Sequence, residues 1–306
     1  MFFVKSLYLQ LGFEALFIAI MTKKIILISG VKGQLGRLLE EVSRNFGQFD
    51  FVFTDVDELD ITDYQQLHFF FLNNRIDFMI NCAAYTAVDK AEEERDEAYR
   101  INAEACGYLA EFGHKFDFKL VHISTDFVFS GQQNRPCKED DATEPLSVYG
   151  DSKLKGEQLI QQNGTDFIII RTSWLYSEYG RNFVRNMQKL GMERSEISVV
   201  YDQCGSPTYA GDLAWTILYI LANYPSAKGI YHFANEGAVS WFDFAQAVME
   251  LSNINCKVKA ILTTEYPTPA KRPLYSVMDK GKIKNAFTLE IPYWRESLRK
   301  CIEKMK

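Results

Sequence analysis

Five apolar runs, beginning near residues 25, 50, 77, 119 and 167 and separated by segments of helical period, constrain this chain more than any other feature it has. Runs such as Ile25-Ile26-Leu27-Ile28 and Phe167-Ile168-Ile169-Ile170 do not alternate apolar with polar residues. They suit strands covered on both faces, as parallel sheets require. Strands joined by helices pair in parallel through right-handed crossovers, so the repeated βα pattern predicts an α/β fold. The regularity stops near residue 175. Beyond it, helices expected at 181–191, 211–223 and 241–252 interleave with short strands near 196–201, 229–234 and 257–262, and Pro267 to Pro273 has no period.

The first run ends in Gly30-Val31-Lys32-Gly33-Gln34-Leu35-Gly36, and a helix follows with Leu35, Leu38, Leu39 and Val42 on one face. A G-x-x-G-x-x-G motif alone is a weak signal. Between a buried strand and a helix it points to a dinucleotide site, because glycines permit the tight turn and let backbone amides approach a pyrophosphate. Gly30, Gly33, Gln34, Leu35 and Gly36 are therefore expected to bind cofactor. The second run delivers Asp55, where an acid can hydrogen-bond the adenosine ribose diol and disfavours a 2′-phosphate. Capping a turn is the plainer role for Asp55, and Asp60-Ile61 in the next turn can flank the adenine instead. No arginine directly follows Asp55, so NADH is slightly favoured over NADPH, an order that Lys32 or Arg37 folding across would reverse. The expected architecture is a Rossmann-type doubly wound parallel sheet over residues 23–175, to which later segments can return. Residues 176–306 are expected to form mainly a smaller α/β lobe that closes over the crevice and binds substrate.

The third run ends in Asn81-Cys82-Ala83-Ala84-Tyr85-Thr86, small residues of the kind that let a ligand lie against a strand end. Residues 87–115 read as one long acidic helical region, in which Glu92, Glu93 and Glu94 are a solvated face and Asn102 is an odd intrahelical polar residue. The fourth run, with Val121 and Ile123, enters Ser124-Thr125-Asp126, and Tyr149 and Lys153 open the next helix. Their i, i+4 spacing puts both on one face, about 5–6 Å apart at Cβ. A phenol with a pKa of about 10 is a poor acid near neutrality, and a neighbouring ammonium is expected to favour the phenolate. Thr125 could share the carbonyl oxygen that receives the proton.

At 306 residues and 47% apolar, the chain can bury a sizeable core. Its formal charge of −6 is spread along the sequence, so nothing suggests nucleic acid as a partner. Six cysteines and four histidines are scattered without metal-ligand spacing, which predicts no metal site and reduced thiols in a cytoplasmic protein. Residues 1–22 are apolar, but Lys5 and Glu14 interrupt them, the longest uncharged piece is too short to span a membrane, and no small-residue cleavage site follows. They are expected to be an upstream extension rather than an anchor, with no membrane association.

The glycine turn, Thr125 and Tyr149-x-x-x-Lys153 at these distances resemble the extended short-chain dehydrogenase/reductase superfamily. Within it, the chain from Lys24 onward is similar to the dTDP-4-dehydrorhamnose reductase family. That resemblance is carried by GQLG (33–36), ELDITD (58–63), NCAAYTAVDKAE (81–92), ISTDFVFSG (123–131), YGDSKLKGE (149–157), RTSWLY (171–176), NFV (182–184), DQCGSPT (202–208), SWFDFA (240–245) and PAKRPLYSVMD (269–279). It implies transfer of a hydride from NAD(P)H to C4 of a dTDP-4-dehydro sugar. Tyr149 would be the proton donor, Lys153 would hold the nicotinamide ribose and lower the Tyr149 pKa, and Thr125 would orient the carbonyl. Matching positions put Asp126 and Trp174 against the sugar or its nucleotide and Ala83, Ala84 and Tyr85 along the cofactor. A guanidinium fork binds phosphate oxygens in pairs, which makes Arg272 the candidate for the diphosphate. Phe127 departs from the tyrosine usual at its position. Some members use Mg²⁺ through acidic residues at a subunit contact, so the resemblance leaves Mg²⁺ and a homodimer open, although no ligand set is identifiable here. Another nucleotide-sugar reductase or epimerase of the superfamily, or a non-catalytic dinucleotide-binding regulatory subunit, stays as an alternative; the intact Thr125, Tyr149 and Lys153 argue against the last.

Overall fold

The computed structural model describes residues 23–164 and 166–306; the expectation for residues 1–22 lies outside them. Six parallel strands form one central sheet: β1 (Lys24–Ser29), β2 (Phe49–Thr54), β3 (Phe78–Asn81), β4 (Lys119–Thr125), β5 (Phe167–Thr172) and β6 (Gly229–His232), in the order 2-1-3-4-5-6. Both faces are covered, as the unbroken apolar runs require. Ile26, Ile28, Ile80, Val121 and Ile170 face α1 (Gln34–Ser43) and a later helix, while Leu27, Met79, Leu120 and Ile169 face the opposite layer. That opposite layer holds α2 (Tyr64–Asn73), which contributes Leu67 and Phe71 to it and is capped by Asp63 accepting from the amides of Gln65 and Gln66. Burying a residue such as Ile26 or Leu27 completely contributes about 1.5–3 kcal/mol, so this double coverage dominates the choice of fold.

The long acidic helix expected over 87–115 is broken. A 3₁₀ turn at Lys90–Glu92 precedes α3 (Arg95–Tyr99), a π-helical turn at Arg100–Glu104, and α4 (Ala105–Phe116). The π turn carries Asn102, whose side chain is buried and drawn into bonds outside its own helix. Next comes α5 (Val148–Gln162), its first turn capped by Ser147 accepting from the Gly150 amide at 3.2 Å.

Beyond residue 175 the chain divides its loyalties. The strand expected near 229–234 is β6 of the central sheet, parallel to β5, and α7 (Ala210–Asn223) packs on α1. The remainder gathers around a parallel pair, Glu196–Val200 with Lys257–Ile261, against α6 (Phe183–Glu193) and α8 (Trp241–Ser252). Two further helices, α9 (Gly281–Phe287) and α10 (Trp294–Lys304), close the fold. One apolar core runs from the sheet face through Val184, Ile197, Phe244 and Val258, so this half is continuous with the sheet rather than merely tethered to it.

In this strand order β1 and β3 lie side by side although β2 comes between them in sequence. Ligands of open α/β sheets bind where the order reverses in this way, outside the carboxyl ends of the strands. Ser29, Asn81, Thr125 and Thr172 mark that rim.

Candidate active site

Two adjoining cavities open at this rim. One, of about 330 Å³, is lined by Gly30, Asp55, Asp60, Ile61, Ala83 and Ala84; the other, a cleft of about 620 Å³, takes in Gly33, Gln34, Leu35, Gly36, Thr125, Asp126, Tyr149, Lys153, Trp174 and Arg272. Residues up to 242 apart in sequence, from Gly30 to Arg272, therefore meet in one place.

The first cavity begins with a turn that only glycine can make. Gly30 has φ +73, and a Cβ there would sit 2.7 Å from the Ala83 nitrogen. At Gly36 a Cβ would sit 2.4 Å from the Gly30 carbonyl oxygen. Gly33 leads into α1 with no side chain capping the amides of the first turn, which suits them to an anion. The Asp55 carboxylate accepts from the Lys32 amide at 2.8 Å and from the Val56 amide at 2.9 Å, so it is fixed under the turn and keeps lone pairs for a diol. Asp60 accepts from the Thr62 amide and hydroxyl, both at 2.8 Å. A backbone cradle followed by a fixed acid fits a dinucleotide. Tyr85 departs from expectation: its backbone is clamped by Asn102, with bonds of 2.9 and 3.0 Å, while its ring packs with Ala91, Ala98, Val148 and Tyr149 instead of facing the cavity.

In the cleft, β4 presents Thr125 and α5 presents Tyr149 and Lys153. The Thr125 hydroxyl donates to Asp126 Oδ1 at 3.1 Å and accepts from the Phe127 amide at 3.2 Å. Tyr149 is partly exposed to the cleft and packs edge-on against Phe127 with ring centroids 5.6 Å apart, so the residue that lacks the usual hydroxyl serves as a wall. Burial pushes Tyr149 up to about 12, with the Thr125 hydroxyl pulling the other way and Asp126 adding to the rise. The downward pull expected of Lys153 is thus not what sets the phenol here. Lys153 itself is buried and lowered below its ordinary value by burial; its ammonium donates to the Ile123 carbonyl at 2.6 Å.

Asp126 is buried, and its Oδ2 has no hydrogen-bond partner among the described residues. An orphan carboxylate oxygen on a cleft wall is costly unless something polar meets it. Burial pushes this group up to about 6. Trp174 adopts a left-handed backbone, φ 47, and its indole stacks on Trp241 at 3.4 Å between centroids. A non-glycine residue held in that region stores strain of about 1–3 kcal/mol, which the stack on α8 offsets. Arg272 reaches the cleft but is held by Asp89 in a two-point ion pair of 3.0 and 2.8 Å, with further bonds to Thr268 and Ala270.

Among the described residues no cluster of three His, Cys, Asp or Glu side chains could hold a metal, and no helix is long and apolar enough to cross a membrane. Sequence reasoning passed over His122, Asn81, Trp241 and Asp89. Only Asn81 carried a local signal, as a polar residue ending a buried strand.

Comparison with known proteins decides the family. A family model described as the RmlD substrate binding domain matches residues 23–306. A dTDP-4-dehydrorhamnose reductase from Aggregatibacter actinomycetemcomitans is 40% identical over 285 residues, covering 90% of this chain and 97% of the relative. The chain belongs to the dTDP-4-dehydrorhamnose reductase family. A crystal structure of the Bacillus anthracis dTDP-4-dehydrorhamnose reductase in complex with NADP, 40% identical, superposes with a TM-score of 0.89 over 92% of this chain and all of that one. The Thermus thermophilus UDP-glucose 4-epimerase, in complex with NAD, is 18% identical with a TM-score of 0.77 over 92% of this chain and 98% of its own, and shares the fold alone.

Proposed function

We propose that this protein reduces the C4 ketone of dTDP-4-dehydro-β-L-rhamnose to dTDP-L-rhamnose, with Tyr149 as proton donor. The observation that carries the reading is the convergence of Thr125, Tyr149 and Lys153 on one cleft with the glycine turn, in a chain of this family. A bound NADH or NADPH would supply the hydride. Gly30, Gly33, Gln34, Leu35 and Gly36 would hold its diphosphate, Asp55 the adenosine ribose, and Asp60, Ile61, Ala83 and Ala84 the adenine side. Tyr149, kept protonated by burial, holds a proton for the alkoxide oxygen; Thr125 orients the carbonyl; and Lys153 reaches the nicotinamide ribose. The orphan Asp126 oxygen accepts a sugar hydroxyl, and the indole of Trp174 packs on the sugar or base. Since Asp89, Thr268 and Ala270 take Nη1 and one N–H of Nη2, a diphosphate oxygen would meet the second Nη2 N–H or Nε of Arg272, or displace Asp89.

Asp55 ranks NADH slightly ahead, while NADP in the Bacillus anthracis relative supports acceptance of both cofactors. Six unpaired cysteines support a reducing, cytoplasmic setting. The deciding assay follows loss of NADH or NADPH with dTDP-4-dehydro-6-deoxyglucose, with and without an added 3,5-epimerase. Oxidation that depends on the epimerase is expected; oxidation without it would mean that the unepimerised sugar is the substrate, and none in either case would refute the reading.

Asp126→Asn should separate stability from affinity. A carboxyl at about 6 in the fold, against about 4 unfolded, binds its proton more tightly when folded, so stability falls as pH rises through that window. The cost, about 3 kcal/mol, is present in full above about pH 6 and absent below about pH 4. The variant should melt higher than wild type at neutral pH, melt alike near pH 4, and bind substrate at least about tenfold more weakly. Unchanged melting at both pH values would show that the charge is not strained.

A further inference from the structure

We propose that His122 is a positioning residue for Lys153, holding its ammonium at the rear wall of the cleft and setting the pH at which the site loses that charge. His122 is wholly buried on β4, and its Nε2 lies 3.1 Å from Lys153 Nζ. An ammonium has three donors. One goes to the Ile123 carbonyl, one meets His122, and the third is left for the cleft that Lys153 lines. An imidazole nitrogen can accept only in the neutral ring, and burial together with the Lys153 charge holds His122 well below its ordinary value. With Nε2 accepting, the ring proton sits on Nδ1, which faces Cys106 Sγ at 3.8 Å; that thiol donates in turn to the Asn102 carbonyl.

The histidine is also tied to the cofactor turn. Asn81 Nδ2 donates to Cys106 Sγ at 3.8 Å, the sulfur that His122 Nδ1 also faces, and Asn81 Oδ1 accepts from the Ser29 hydroxyl at 2.9 Å and from the Ala83 amide at 3.1 Å. Ala83 is the residue whose nitrogen a Cβ on Gly30 would strike. A buried polar chain through Asn81, the Cys106 thiol and His122 therefore links the glycine turn to the catalytic lysine. The other titratable groups facing Lys153 are Cys82, Cys106 and Glu157. Burial holds the two thiols at about 12 and about 11, and the Glu157 charge is taken by Arg171. Beside the Ile123 carbonyl, His122 Nε2 is the acceptor among the described residues that lies close enough to steady the ammonium across the working range.

The inference rests on the Tyr149 and Lys153 chemistry proposed above. Its test compares His122→Gln, His122→Asn and Tyr149→Phe with wild type in pH profiles of kcat and kcat/KM for the dTDP-sugar assay. A glutamine amide reaches the position of Nε2, whereas an asparagine amide reaches only that of Nδ1. His122→Gln should keep the wild-type basic limb, and His122→Asn should move it down by about one pH unit and lower neutral kcat about tenfold. Superimposed profiles for the two variants, or failure of both to fold, would mark His122 as a packing residue and overturn the assignment. Tyr149→Phe separates the two levels: full turnover by that variant sinks the chemistry, whereas its inactivity alongside an unmoved His122→Asn limb sinks the positioning role alone.

Discussion

Tyr149→Phe should lose about 10²–10⁴-fold in kcat, the scale on which a positioned general acid contributes, while melting within a few degrees of wild type. The structure explains both halves. The Tyr149 ring is held by packing against Phe127 and the cluster around Val148, so removal of the hydroxyl leaves the wall of the cleft intact. What goes is the only phenol that shares a helix face with Lys153. Steady-state kinetics with saturating cofactor, paired with thermal melting, checks it; turnover within a few-fold of wild type would mean that the proton comes from elsewhere. The pH profile adds a second constraint. With Tyr149 near 12 and Lys153 lowered from its ordinary value, the lysine titrates first as pH rises. The basic limb of kcat/KM, which reports the free enzyme, is therefore expected to follow Lys153 and not the phenol.

That order of titration was not legible in the sequence. The i, i+4 spacing correctly put phenol and ammonium on one face, yet spacing says nothing of desolvation, which here raises one group and lowers the other. Local periodicity served well wherever burial is repetitive. The five strand runs, the glycine turn and the helix carrying Leu35 and Leu38 all follow from patterns a few residues long. It failed where a single side chain makes a distant bond. Asn102 looked like an anomaly inside a helix; its role emerges only when Tyr85, 17 residues away, and Ser152, 50 residues away, come within reach. Arg272 pairs with Asp89 across 183 residues, and β6 returns to the sheet after a long excursion whose own pattern resembles a separate lobe. The residues that converge on the cleft were legible through chemistry and resemblance; the side chains that support them were not.

Arg171→Leu should be the most damaging single change outside the reacting groups. Arg171 and Glu157 are 3% and 0% exposed at their side chains and form a forked pair, Nη2 to Oε2 at 2.7 Å and Nε to Oε1 at 3.0 Å. Glu157 also accepts from Ser124, the residue before Thr125, and Arg171 precedes Thr172 at the end of β5, so the pair buttresses the strand ends that form the cleft. Removing one partner strands a buried charge and costs about 3–5 kcal/mol, which for a chain of this size lowers Tm by on the order of 10 °C. Replacing both partners, as Glu157→Met with Arg171→Leu, should recover most of that loss, because no unpaired charge remains to be desolvated. The double variant is expected to stay slow all the same, since Ser124 loses its acceptor and Thr125 and Asp126 lose their backing. Melting curves of the two single variants and the double, read beside kcat, decide the matter. Recovery of stability without recovery of turnover places the pair in support of the site. Recovery of both would confine it to the fold, and a double variant no more stable than the singles would contradict the desolvation argument itself.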